Sequence, residues 1–127
     1  VSLGVSLPLH CYSAGKAILA HLPEARVEEI IESRGLAART PHTVTDREEL
    51  SEELSAIREQ GFALSLEEAI NGVHAVAAPV LDDDGAPLGA INVSGVSHRL
   101  TEERCRNELA DRVQATANEV ALNLTYA

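Results

Sequence analysis

VHAVAAPVLDDDGAPLGAINVSGV, residues 73–96, decides the fold. Val73 to Leu81 is apolar on both faces, as expected of a central strand, and Pro79 warns of irregular pairing within it. Asp82-Asp83-Asp84-Gly85 is a tight turn, and Ala86 to Val96 returns as the hairpin partner. Just upstream, Phe62, Leu64 and Leu66 alternate with Ala63 and Ser65, the period of two of a half-buried strand. These segments make an antiparallel sheet.

Outward from the sheet the period becomes helical. Thr101 caps a long final helix whose stripe runs Cys105, Leu109, Val113, Ala117, Val120 and Leu124, with Glu102 and Glu103 in its first turn. Before the sheet, Asp46 with Glu49 three residues on starts a helix lined by Leu50, Leu54 and Ile57 and ended by Gly61. Pro23 opens another, with Val27, Ile30 and Ile31 on its buried face and Gly35 after it. Ser13 to His21 reads as a short helix, preceded by an extended segment, Leu3 to His10, that Pro8 places at an edge or a strand end. Strand, three helices, three strands and a helix make an α+β domain with a largely antiparallel sheet flanked by helices.

The chain has 127 residues, enough for one domain, and 45% hydrophobic residues at a mean hydropathy of -0.03 supply a core. Twenty acids against ten cations give a net charge of -10, which opposes direct binding of nucleic acid or of an anionic membrane surface. No apolar run approaches the ~18 residues of a spanning helix. Lys16 is the single lysine, the other nine cations are arginine, and aromatics reach only 2%. Such an acid-rich, lysine-poor surface suits high salt, where self-repulsion is screened. The absence of methionine implies a trimmed product or a piece of a longer protein. Cys11 and Cys105 fit neither a metal spacing nor a disulfide framework, and no signal peptide is visible, so a cytoplasmic location is expected.

Chemistry concentrates in HCYSAGK, residues 10–16, where a strand runs into a helix. Small residues at a helix start leave backbone N–H groups free for an anion or a carbonyl oxygen; an ordinary strand–helix joint needs the same small residues for packing. Lys16 lacks the paired glycines of a phosphate loop. His10 beside Cys11 invites a nucleophile reading, but neighbours on a strand point to opposite faces. Cys105 belongs to the core stripe. Asn92 and Ser94 share one face of the returning strand with Leu88 and Ala90, and polar groups so placed are either solvated or arranged around something. His74 reads as a satisfied histidine in an apolar run. Glu67 and Glu68 read as solvated or as bonding the neighbouring loop.

Taken in order, LPLH at 7–10, AGKAILA at 14–20, TDREEL at 45–50, EELSAIREQGFA at 52–63, EEAING at 67–72, AAPV at 77–80 and SG at 94–95 resemble the C-terminal effector-binding domain of IclR-family transcriptional regulators, along essentially the whole chain. Acid-rich versions resemble those of haloarchaea. The resemblance implies a GAF/PAS-like (profilin-like) fold over residues 1–127 and an N-terminal winged helix-turn-helix in the full-length protein, through which alone DNA would be bound. It implies a small organic acid or similar metabolite as effector, a homodimer or homotetramer, and no catalysis, cofactor, metal or membrane. The family pocket maps here to Tyr12, Ser13, Ala14 and Gly15 at the first helix, Ser65, Ala75 on the central strand, and Asn92 and Ser94. Family members sensing small keto acids carry Asp, Cys and Ser where this chain has Ser65, Ala75 and Asn92, and Tyr12 brings an aromatic ring that is able to fill part of the pocket. Two other classes compete: a small enzyme using Cys11 or the Asn92/Ser94 face, and a dimerisation module with a vestigial pocket. A cavity lined by Ser13, Ser65, Asn92 and Ser94 favours sensing, a solvent-open Cys–His pair favours chemistry, and a cavity plugged by Tyr12 favours the module.

Overall fold

Three antiparallel strands, β1 (Ala63–Leu66), β2 (Val73–Leu81) and β3 (Pro87–Val96), pair in the order β1-β2-β3 in a computed structural model that describes residues 9–126. Ser65 pairs with Ala75, and Ala75 in turn with Ser94, so one row of small residues crosses the sheet. Helices α1 (Ser13–Leu19), α2 (Glu24–Arg34) and α3 (Arg47–Gln60) precede the sheet. A final helical run follows it: α4 (Glu102–Arg104), a π turn (Cys105–Leu109) and α5 (Ala110–Tyr126). The α+β expectation and the order of these elements agree with this architecture.

Pro79 sits in the central strand without costing a ladder bond. Val73 turns its carbonyl toward β1, where it accepts from the Glu67 N–H at 3.0 Å, so odd-numbered residues of β2 face that side. The β1 pairing ends at Ala63 opposite Ala77, and the N–H that Pro79 lacks would point past the end of β1. The irregularity falls between Val80 and Leu81. At the hairpin tip, the Asp82 carboxylate accepts from the N–H groups of Asp84 and Ala86, both at 2.9 Å, and Gly85 takes a left-handed φ of 82°.

Both faces of β1 and β2 are covered, while much of β3 is exposed. Leu64, Val76, Ala78 and Val80 pack against Cys105, Ala110, Val113 and Ala117 of the final helix. Ala63 and Ala77 on the other face pack against Ala17, Leu19 and Ala20 with Leu50, Leu54 and Ile57 of α3. β1 is therefore buried on two sides, with Ala63, Leu64 and Ser65 all inaccessible, and the half-buried strand expected from its alternation is corrected.

Four further expectations change. Of the extended segment Leu3 to His10, residues 3–8 lie outside the described residues, while Leu9 and His10 form a turn. α1 stops at Leu19 rather than His21. Pro23 stands at the N-cap of α2 rather than inside it. In the final helix the buried stripe is Cys105, Ala110, Val113 and Ala117, and Leu124 is exposed. The π turn explains the step of five from Cys105 to Ala110, because its wider turn brings i and i+5 onto one face. Asp46, Gly61 and Thr101 cap as expected, with the Asp46 carboxylate accepting from the Glu49 N–H at 3.0 Å.

Candidate functional site

α1 begins at a joint where the chain turns beneath the sheet's small-residue row. Tyr12 holds the N-cap position in extended conformation and gives no side-chain cap, so Ser13 and Ala14 open the helix with uncapped first-turn backbone. Gly15 is required sterically: a Cβ there would stand 2.4 Å from the Leu9 carbonyl oxygen. Ser65 joins this segment to β1, its hydroxyl donating to the Cys11 carbonyl at 2.6 Å.

Between these pieces lies a cavity of ≈ 160 Å³, lined by Tyr12, Ser13, Ala14, Ser65, Ala75, Asn92 and Ser94. Ser13, Ser65 and Ala75 are its buried floor, while Asn92 and Ser94 are exposed and form its rim on β3. Of the residues named in sequence, Gly15 alone is absent from the cavity lining; its Cα is turned against the Leu9 backbone, which leaves its main-chain N–H in the first turn of α1. Ala69, Ile70 and Val73 also line the space and were missed. Their signal was positional: all three belong to the connection between β1 and β2 or its end, which must cross the mouth of the site. No charged side chain lines the cavity, which offers hydroxyls, an amide and a phenol among apolar groups. A space of ~150 Å³ accepts a benzene-sized molecule.

The connection is held in place from below. Glu67 has a left-handed φ of 59°, a conformation unfavourable for a side-chain-bearing residue. Its carbonyl accepts from the Thr40 hydroxyl, the Glu68 carbonyl accepts from the Thr43 hydroxyl, and the Glu67 carboxylate accepts from the Gly72 N–H at 2.8 Å. His74 is satisfied, as expected, with Nδ1 2.8 Å from the Leu100 carbonyl.

Lys16 has a structural role that its sequence context does not announce. It is fully buried, and its ammonium donates to Glu53 on α3 and to Glu68 at 2.7 Å. Glu68 is buried as well, accepting also from the Leu66 N–H at 3.2 Å, so it is not a solvated surface acid. Burial pushes the Glu68 carboxyl above the usual glutamate range, and the Lys16 charge opposes that rise. This ion cluster ties α1, α3 and the β1–β2 connection together behind the cavity. Its signal was that α1 is too short and too apolar to have a solvent face.

The nucleophile arrangement does not form. The His10 Nε2–H donates to the Ala37 carbonyl at 2.8 Å rather than serving Cys11. Cys11 is buried, and burial raises its thiol pKa, against formation of a thiolate. Among the described residues no group of three or more His, Cys, Asp or Glu is arranged to hold a metal ion, and no helix is long and apolar enough to cross a membrane.

The family model of the bacterial transcriptional regulator IclR C-terminal domain matches residues 1–122. The transcriptional repressor AllR of Escherichia coli is 38% identical over 122 residues, which is 96% of this chain and 45% of AllR, so the chain spans under half of that curated relative. The crystal structure of the Thermotoga maritima IclR superposes with a TM-score of 0.86 at 35% identity, over 93% of this chain and 47% of that one. The inducer-binding domain of an Acinetobacter PobR double mutant, solved with 3-hydroxybenzoic acid, gives a TM-score of 0.84 at 36% identity, covering 91% of this chain and 66% of that one. These neighbours agree with the GAF/PAS-like fold expected from sequence.

Proposed function

Because the chain belongs to the IclR family as its C-terminal domain, we propose that it senses a small organic acid and passes its presence to a winged helix-turn-helix carried elsewhere in the full protein. The observation that carries this reading is the cavity between α1 and the β2–β3 face: its volume, its mixture of polar and apolar groups and its open rim suit a small polar metabolite. An effector carboxylate would lie at the start of α1, using backbone N–H groups of Ser13, Ala14 and Gly15. Asn92 and Ser94 would donate from β3. The Ser65 hydroxyl proton is engaged by the Cys11 carbonyl, which leaves Ser65 only its acceptor capacity toward a ligand.

Tyr12 lines the cavity and leaves ≈ 160 Å³ unfilled, which favours sensing over a dimerisation module with a plugged pocket. The raised Cys11 pKa and the diverted His10 favour sensing over catalysis. A regulator reading paired half-sites requires two-fold symmetry, so the working form is a homodimer or homotetramer in the cytosol. The composition, with twenty acids and one lysine, supports a surface adapted to high salt.

Thermal-shift screening against organic, sugar and aromatic acids identifies the effector, because a ligand binding only the folded state stabilises it by ~2.7 kcal/mol at a hundredfold excess over Kd. Calorimetry with that acid on Asn92→Ala and Ser94→Ala then tests the site. Losing one such hydrogen bond costs about 1–3 kcal/mol, so each variant should bind up to ~100-fold more weakly with its fold intact. Unchanged affinity in both places the effector elsewhere.

A further inference from the structure

The lining of the cavity beside α1 changes character along the strands. Asn92 pairs with Ala77 at one end. Two residues back along β2 comes the row of Ser65, Ala75 and Ser94. Two residues further back stands Val73, paired with Val96, and here the lining becomes Val73, Ala69 and Ile70. Hydroxyls and an amide thus give way to an apolar end.

Ile70 is the largest side chain of that end and is 51% exposed. The backbone on both sides of it is pinned. Before it, the Glu67 and Glu68 carbonyls accept from the Thr40 and Thr43 hydroxyls, and the Glu68 carboxylate pairs with buried Lys16 at 2.7 Å. After it, the Gly72 carbonyl accepts from the Ser97 N–H at 2.7 Å, and the Ile70 carbonyl itself accepts from the Val73 N–H at 3.2 Å. Ile70 is therefore held at the mouth of the cavity by its own connection. A charged group placed there would lose water and gain no partner, because no charged side chain lines the cavity. An apolar group in the same place would take the exposed face of Ile70 out of water.

We propose that Ile70 is a specificity-determining residue, selecting effectors whose end facing away from Asn92 is compact, apolar and uncharged. This rests on the reading of the cavity as the effector site, and adds the chemistry of the effector's second end. The ≈ 160 Å³ of space limits that group to about one six-membered ring.

Calorimetry of the 127-residue chain with benzoate, terephthalate and acetate tests this. Benzoate should saturate one site. Terephthalate, the same ring with a second carboxylate opposite the first, should bind at least ~10-fold more weakly, and so should acetate, which lacks the ring. Ile70→Ala should weaken benzoate by ~10-fold and leave acetate unchanged. Ile70→Arg should reverse the order of benzoate and terephthalate by supplying a charge partner. Position 70 is exposed, so both variants should fold. Equal binding of benzoate and terephthalate, full benzoate affinity in Ile70→Ala, or an unreversed order in Ile70→Arg would overturn the role of Ile70. So would failure of benzoate to bind while another acid binds and is weakened by Asn92→Ala, an outcome that leaves the effector site standing. Benzoate binding that neither Asn92→Ala nor Ser94→Ala weakens, or no saturable binding by any acid, would overturn both.

Discussion

The Ser65 hydroxyl donates to the Cys11 carbonyl at 2.6 Å, across 54 residues of sequence, and both groups are buried. This bond fixes the distance between β1 and the start of α1, and so the width of the cavity between them. Ser65→Ala removes this buried hydrogen bond, at a net cost of about 0.5–1.5 kcal/mol. Urea denaturation should show that loss, and a stability within ~0.3 kcal/mol of the parent would contradict it.

The Lys16–Glu68–Glu53 cluster predicts opposite outcomes for two substitutions. Lys16→Met leaves two carboxylates facing each other without a cation, and removing one partner of a buried pair costs about 3–5 kcal/mol. Glu68→Gln leaves Lys16 paired with Glu53. The folded Glu68 pKa is raised, so between its unfolded and folded pKa values the native state holds more protons and stability falls as pH rises. Glu68→Gln should therefore flatten that decline just above the ordinary glutamate pKa. Melting curves from pH 4 to 7 measure it, and an unchanged slope would contradict the assignment.

Gly15→Ala places a methyl 2.4 Å from the Leu9 carbonyl oxygen, a contact with backbone that only a shift of α1 relieves. The expected destabilisation is about 1–3 kcal/mol, typical of overpacking. A crystal structure of the variant should show Ser13 and Ala14 displaced; a melting point equal to the parent's would show the joint to be loose.

The sheet was legible in sequence because its hairpin carries two strong local signals, a continuous apolar run and an acidic turn ending in Gly85. The helix caps at Asp46 and Thr101 were equally local. What sequence could not show were properties of packing. The burial of β1 depends on two helical layers that arrive from opposite ends of the chain. The π turn depends on how Cys105 and Ala110 meet one sheet face, and no residue type announces it. The cavity residues came from the family resemblance, and the row formed by Ser65, Ala75 and Ser94 emerges only from strand register. The role of Lys16 is not legible in sequence because its two partners lie 37 and 52 residues away.

A net charge of -10 makes the fold sensitive to ionic strength. The screening length falls from ~10 Å at 0.1 M to ~3 Å at 1 M, which weakens repulsion among surface carboxylates. The melting temperature should rise steadily with KCl over that range, and a flat response would remove the support for salt adaptation.

The effector cavity is tested most directly by backbone amide NMR of the isotope-labelled chain during titration with the acid that thermal-shift screening selects. Saturable shifts centred on Ser13, Ala14, Ala75, Asn92 and Ser94, with slower or smaller changes elsewhere, are the predicted result. Shifts centred away from those residues, or no acid in the panel that moves them, would contradict it.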